Sequence, residues 1–450
     1  MRRRWCGTGW RPSRTERRRR RLTGIDSSST RRGRWRSGWR GCSTASRARP
    51  RSRPVRMPPS DARVASVLVL FNTVALYGME RGVIEYFDLI RSEVRPHFLV
   101  SRSIEKLNLP VFQEIRRRGF DVSFFSDRYD WPKIGRPRSL RHLFALVAAM
   151  FRGNRDVLRA SRGRDGVYAP SVSYLFFALI AMPWVRLTGR RVIYHFHDLG
   201  PHPRWVLRVA ACFITDVLHN TEEGRRQMLA AFPSLSRARQ VVVPYPTERR
   251  DGTLPEPVLN ALGGAVNVVY IGQVSRHKGV DLLIDAFIAA AGPQARLHVL
   301  GDAADHEFLR TLQQRARAAG VDVRWWGYVS EVHGVLERAD LYVHPSPPSR
   351  FHESFGRGIA EAMQAGIPTV CFRSGMVAEL VIHGETGWVC ERDDVASLAA
   401  ALRALLADPV RRRAMGDAAR LRYERAYSPA AVRRASEGWL ATWKFKRGAA

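Results

Sequence analysis

The feature that most limits the fold of this chain is a rhythm of short apolar runs and longer amphipathic ones, played twice. In the first pass the runs are VASVLVLF (64–71), HFLV (97–100), DVSFF (121–125), GVYA (166–169), RVIYHF (191–196), DVLH (216–219) and VVV (241–243). A break rich in Pro, Glu and Arg, VPYPTERRDGTLPEP, follows. The rhythm then restarts with NVVYIG (267–272), ARLHVLG (295–301), VDVRWW (321–326), LYVH (341–344), PTVCF (368–372) and GWVC (387–390). The segments between are helical in spacing: in GVDLLIDAFIAAA, Leu282, Leu283, Ala286, Phe287 and Ala290 recur every three or four residues. Strand and helix in alternation make a parallel sheet covered on both faces, and the break near residue 250 makes two such units. The expected class is α/β, doubly wound, with ligands held at the carboxyl ends of the strands in a cleft between two facing sheets.

At 450 residues and 45% hydrophobic, the chain has enough apolar material for two cores. Its formal charge of +33 is uneven: residues 1–56 hold 20 Arg, no Lys and two acidic residues, more than half of the total. That leader has no strand or helix periodicity and is expected not to fold alone. It reads as a nucleic-acid-binding arm, a targeting segment, or an upstream stretch that is not native protein. Met57 and the stub PPSDAR lead straight into the first strand, which favours the third reading and makes Met57 the expected start. The five cysteines show no CxxC spacing, so neither a disulfide framework nor a zinc site is expected. No apolar signal segment is visible, and a cytoplasmic location follows as the expectation. The uncharged stretch 168–185, broken by Pro170 and Pro183, reads as a buried helix rather than a membrane span.

Two loops carry chemistry. GQVSRHKG, residues 272–279, follows one strand and precedes a helix, placing Arg276 and Lys278 where a diphosphate would sit. In isolation such a pair is more commonly a solvated basic turn. In HESFGRGIAEAM, Ser354 is expected to cap a helix starting near Phe355, with Gly356 and Gly358 exposing first-turn N–H groups to an anion. Glu353 then lies at the helix mouth and Glu361 about two turns in, suited to gripping two parts of one extended ligand. Each glutamate in isolation is more commonly an ordinary helix or surface carboxylate. HFHD (195–198) resembles the opening of a metal hydrolase site, but a barrel with further ligands is not in prospect, and no metal is expected. His202, His219, His298 and His344 read as structural or surface residues. The Trp pair 325–326 reads as a buried strand, and Tyr328 just beyond it as a neighbour of a nucleobase.

The second half, through YIGQVSRHKGVDLLIDAF, LHVLGD, VRWWGYV, HPSPPSRFHESFGRGIAEAMQAGIPTV and GMVAELVIHGETGWV, resembles the family 4 retaining glycosyltransferases (glycosyl transferases group 1). The first half matches through YGMERG and YHFHD. The resemblance implies the GT-B fold, two Rossmann-like doubly wound domains facing across a cleft. An acceptor domain would span 57–247, a nucleotide-sugar donor domain 248–430, and a C-terminal helix in 431–450 would cross back to the first. It further implies Lys278 at the donor diphosphate, Glu353 at the transferred sugar, Phe355 and Gly356 as a backbone surface for sugar and phosphate, and Glu361 at the ribose. Gly78 matches the phosphate-side glycine loop and His197 the histidine lining the sugar site. Gly272, Gln273, Gly301, Tyr328 and Ser354 complete the expected donor contacts, with Arg276 and His197 beside Lys278 and Glu353 as catalytic candidates. The family often has Gly-Arg where this chain has Gly272-Gln273, and Gly-Gly where it has Tyr77-Gly78.

The implied reaction moves a sugar from a nucleotide diphosphate to an acceptor hydroxyl with retention, as in polysaccharide or glycolipid synthesis. No Asp-x-Asp occurs in the chain, so no metal or other cofactor is expected. Expected partners are the nucleotide sugar and a saccharide or lipid-linked acceptor, with no specific nucleic acid. Basic and aromatic residues of the first half, Arg141, Arg152, Arg155, Trp184, Arg186, Trp205 and Arg208, suggest peripheral contact with the inner face of a membrane. A silent sugar-nucleotide-binding protein and a nucleic-acid binder acting through the leader are the alternatives.

Overall fold

The structure, a computed structural model, describes residues 64–71, 73, 76, 78–126, 139–197, 204–249, 252–329 and 331–443. The Arg-rich leader with Met57, Tyr77, Asp198, His202 and residues 444–450 lie outside them. The strands are β1 (Ala65–Leu70), β2 (Val94–Val100), β3 (Asp121–Phe124), β4 (Gly166–Ala169), β5 (Arg191–Phe196), β6 (Asp216–His219), β7 (Arg239–Val242), β8 (Val266–Ile271), β9 (Ala295–Leu300), β10 (Asp322–Gly327), β11 (Leu341–His344), β12 (Thr369–Phe372) and β13 (Gly387–Cys390). They form two all-parallel sheets, ordered β3-β2-β1-β4-β5-β6-β7 and β10-β9-β8-β11-β12-β13. In each sheet the winding reverses once, between β1 and β4 and between β8 and β11. A crevice opens at such a reversal, beyond the carboxyl ends of the strands.

The near-continuous apolar strands reflect burial on both sheet faces. Along β1, Val67 and Val69 enter one apolar cluster while Leu68 and Leu70 enter another, as the two-residue period of a strand requires. All four are fully buried, each stabilising the fold by about 1.5–3 kcal/mol. One cluster runs on from the first sheet through Tyr245, Phe355 and Tyr427 to Val269 and Leu300 of the second. Helix Pro429–Ala441 packs on the first sheet's side: the Trp439 indole donates to Asp216 on β6 at 3.2 Å, and the Tyr86 hydroxyl to Ser436 at 3.2 Å.

Two expectations about helices are corrected. Residues 168–185 do not make one buried helix: after β4 they form Val172–Ala178 and Ala181–Leu187. No helix among the described residues is long and apolar enough to cross a membrane. The helix expected near Phe355 begins at Arg357, because Gly356 takes a left-handed conformation (φ 72°) and becomes its N-cap. Ser354 therefore lies before the cap, and Glu361 one turn into Arg357–Ala365 rather than two.

Candidate functional site

The second sheet's winding reversal sets the site, since the loops after β8 and β11 both rise there. After β8 the chain passes Gly272, turns through Arg276–Lys278 and enters helix Val280–Ala290. A side chain at Gly301, after β9, would put its Cβ 1.9 Å from the Gly272 carbonyl oxygen, so these loops touch backbone to backbone only because Gly301 is bare.

Lys278 and Glu353, 75 residues apart, meet at 2.7 Å. The His344 ring lies 3.3 Å from the same carboxylate oxygen, and the Ser346 hydroxyl donates to it at 3.4 Å. Burial alone would push the Glu353 carboxyl up. The Lys278 ammonium and the His344 contact outweigh it and hold the group well below the usual carboxylate range. Lys278 also sits 3.9 Å from the centre of the Phe351 ring. Arg276 does not join it: its guanidinium lies 4.6 Å from the ring centre of Phe308, on helix His306–Ala318, so the two cations diverge.

A second cluster spans the two halves. Arg357 reaches Glu361 one turn on at 3.1 Å and Glu85, on helix Gly78–Leu89 of the first half, at 2.7 Å. All three side chains are nine-tenths or more buried. Burial opposes charge on Arg357, and the two carboxylates more than reverse this, keeping it cationic. Beside the cluster is a cavity of about 360 Å³, within the size range of small-molecule sites. Of the expected residues, Gly78, Gly272, Gln273, Gly301, Tyr328 and Glu361 line it, together with Arg81, Asp302 and Arg357. Tyr328 is mostly exposed; its amide donates to Asp302 at 3.0 Å and its hydroxyl accepts from Arg81 at 3.0 Å.

His197, at the end of β5, is buried in a polar chain. The Asn220 amide lies 3.2 Å from its Nδ1, the Tyr245 hydroxyl 3.0 Å away, and the Tyr245 ring stacks on it. His195 bonds Tyr168 and Asn220, and burial first, then His197, holds its pKa far below the ordinary value. Among the described residues no group of three His, Cys, Asp or Glu is arranged to hold a metal ion. Phe355 is buried edge-on to Tyr245, 6.0 Å between ring centres, and so ties Glu353's loop to the first half.

Sequence reading missed Arg81, Glu85, Asn220, Tyr245 and Arg357. Glu85 did leave a sign. In VIEYF it is a lone acid inside an apolar run, and such an acid is buried only with a partner.

Residues 258–422 match the family model described as glycosyl transferases group 1. The chain is 34% identical over 163 residues to the glycogen synthase of Mycobacterium tuberculosis H37Rv, covering 35% of this chain and 38% of that one. It is 30% identical over 263 residues to the GDP-mannose-dependent alpha-(1-6)-phosphatidylinositol monomannoside mannosyltransferase of Mycolicibacterium smegmatis, covering 53% of this chain and 67% of the relative. It thus spans far less than two thirds of the glycogen synthase. Among solved structures, Anabaena HepE in complex with UDP and glucose has a TM-score of 0.65 at 21% identity, over 84% of this chain and all of that one. A Rickettsia africae glycosyltransferase has a TM-score of 0.68 at 14% identity, over 84% and 98%. At these identities the likeness is one of fold.

Proposed function

Because this chain belongs to the group 1 glycosyl transferases and has their GT-B fold, we propose that it is a retaining glycosyltransferase using a nucleotide diphosphate sugar. Its acceptor is a hydroxyl on a saccharide or a lipid-linked saccharide, in cell-surface polysaccharide or glycolipid synthesis at the cytoplasmic face of the membrane. The observation that carries the reading is the division of labour between the two glutamates. Glu353 is paired with Lys278 beyond β8 and β11, while Glu361 lies on the wall of the cavity, held by Arg357. HepE, solved with UDP and glucose, and the GDP-mannose-dependent relative support a nucleotide-sugar donor.

In this reading the base lies by Tyr328 and the ribose hydroxyls donate to Glu361. Lys278 and Arg81 face the diphosphate, and Glu353 and His197 the sugar. As the bond from the anomeric carbon to the diphosphate oxygen breaks, the sugar becomes cationic and negative charge grows on the leaving group. In this reading Lys278 and Arg81 stabilise that charge. The acceptor oxygen bonds to the same face of the anomeric carbon and its proton passes to the departing phosphate oxygen. Fixed cations and the absence of Asp-x-Asp motivate a mechanism without a divalent ion.

Thermal stabilisation by a panel of nucleotide sugars, with a chelator present, tests this. One nucleotide class should stabilise the chain, by about 2.7 kcal/mol at a hundredfold excess over Kd. Stabilisation by none would overturn the donor assignment, and a strict need for a divalent ion would overturn the metal-free mechanism.

A further inference from the structure

Helices Leu140–Ser161, Val172–Ala178, Ala181–Leu187 and Arg204–Ala210 cover one face of the first sheet. The longest of them does not stop at the sheet. Ser126, two residues past β3, donates its backbone N–H and its hydroxyl to Asp156 at 2.7 and 2.6 Å. The helix therefore reaches the carboxyl edge of the sheet only near residue 156, and its first three turns project past that edge, by roughly 17 Å from Leu140 to Phe151. This is the edge that carries the cleft.

The projecting turns bury Leu146 and Ala149 inward and leave a stripe outward: Leu140 (74% exposed), Phe144 (70%), Val147 (40%) and Phe151 (59%), spaced four, three and four residues apart. Trp184 and Leu187, both on Ala181–Leu187, and Trp205 against Phe176, are also exposed. In all, 10 of the 17 large apolar side chains exposed among the described residues belong to this layer or the residue joining its helices. Its charge is one-sided. The four helices hold seven Arg, no Lys and one acid, Asp156, which is buried and engaged with Ser126.

Such a surface fits a partner that is apolar and anionic together. A second copy of the same face would bring arginines against arginines, and a nucleic acid offers no apolar phase to an aliphatic stripe. We propose that the projecting half of helix Leu140–Ser161 docks on a bilayer containing anionic phospholipid. The stripe enters the acyl boundary, Arg141 and Arg152 lie at the phosphates, and the cleft mouth faces the membrane plane; Arg155 stays at the sheet edge, bonded to Ser126 at 2.9 Å.

The full chain is floated with vesicles of phosphatidylcholine, with and without phosphatidylglycerol, at about 0.15 M salt; every variant carries the same leader, so its ionic attraction cancels in the comparison between variants. Vesicles with phosphatidylglycerol should bind the protein more strongly. Phe144→Glu/Phe151→Glu should cut the partition coefficient about tenfold or more, while Val410→Glu/Leu421→Glu, at exposed sites of the second half, should not. Equal binding by both double variants, or no preference for the anionic lipid, would overturn the proposal. So would self-association through the stripe, seen by sedimentation, or a loss of stability in Phe144→Glu/Phe151→Glu with vesicle binding intact, which would mean that the chain covers the stripe itself. None of these readouts depends on sugar transfer, so the docking surface and the proposed reaction can fail separately.

Discussion

Replacing Arg357 by Met tests the tie across the cleft. The guanidinium is 10% exposed, between a Glu85 carboxylate that is 1% exposed and a Glu361 carboxylate that is 7% exposed. Removing one member of a buried ion pair costs about 3–5 kcal/mol, because the other charge stays behind unpaired. Here two carboxylates lose that partner, so Arg357→Met should cost about 3–5 kcal/mol at pH 7. The variant can relieve itself by taking up a proton. Without the guanidinium, burial raises a carboxyl pKa in the folded state above the ordinary value of about 4.3, and a group with a raised folded pKa loses stability as pH rises. The deficit should accordingly shrink as pH falls from 7 to 5, by up to roughly 1.4 kcal/mol per pH unit for one proton. Urea unfolding of wild type, Arg357→Met, Glu85→Gln and the double variant at both pH values measures this. The double variant should recover about 2 kcal/mol relative to Arg357→Met, within the range seen for residues in contact. A deficit under about 1 kcal/mol at pH 7, or one indifferent both to pH and to Glu85, would refute the reasoning.

Lys278→Ala and Glu353→Gln should each lower the proposed transfer rate by about 10²–10³ with the far-ultraviolet spectrum unchanged, the usual loss for one positioned charge; near-normal turnover in both would remove them from the site. Tyr328→Ala should weaken nucleotide binding about tenfold by calorimetry if the exposed ring stacks on a base, and unchanged affinity would place the base elsewhere. His219 and His298 are held down to about 4, burial being the leading cause, and so are neutral when folded. Their contribution is complete above about pH 6.5 and should be lost as pH falls from there through 4, at most about 3 kcal/mol each. A flat stability profile between pH 7 and 4.5 would contradict those environments.

What could be read from the sequence was what depends on residues near in the chain. Every apolar run became a strand, and GVYA, RVIYHF, DVLH, LYVH and GWVC did so residue for residue, because burial on both faces leaves no polar register to confuse them. His219 and His298, left open in the sequence as structural or surface residues, are both interior; His298 accepts from the Trp326 indole at 3.1 Å, which uses one of the two strand tryptophans. Less local facts were not. The helix start slipped two residues because a glycine's left-handed turn overrode a serine well suited to capping.

Arg276 and Lys278 looked like one pair of charges, yet their directions are set by Phe308 in one case and by Glu353 with Phe351 in the other, each at least 30 residues away. Glu361 stood out in the sequence as a candidate binding carboxylate, and the structure puts it on the wall of the cavity. What fixes it is Arg357, four residues before it, which is in turn fixed by Glu85 of the other half, 272 positions upstream. A residue type and its spacing announce that a charge is present. The fold decides which opposite charge it meets, and in this chain that choice also joins the wall of the cavity to the closure of the two halves. Arg357→Met therefore tests both: if cavity binding weakens while the unfolding of the two halves stays coupled, the joint role is wrong.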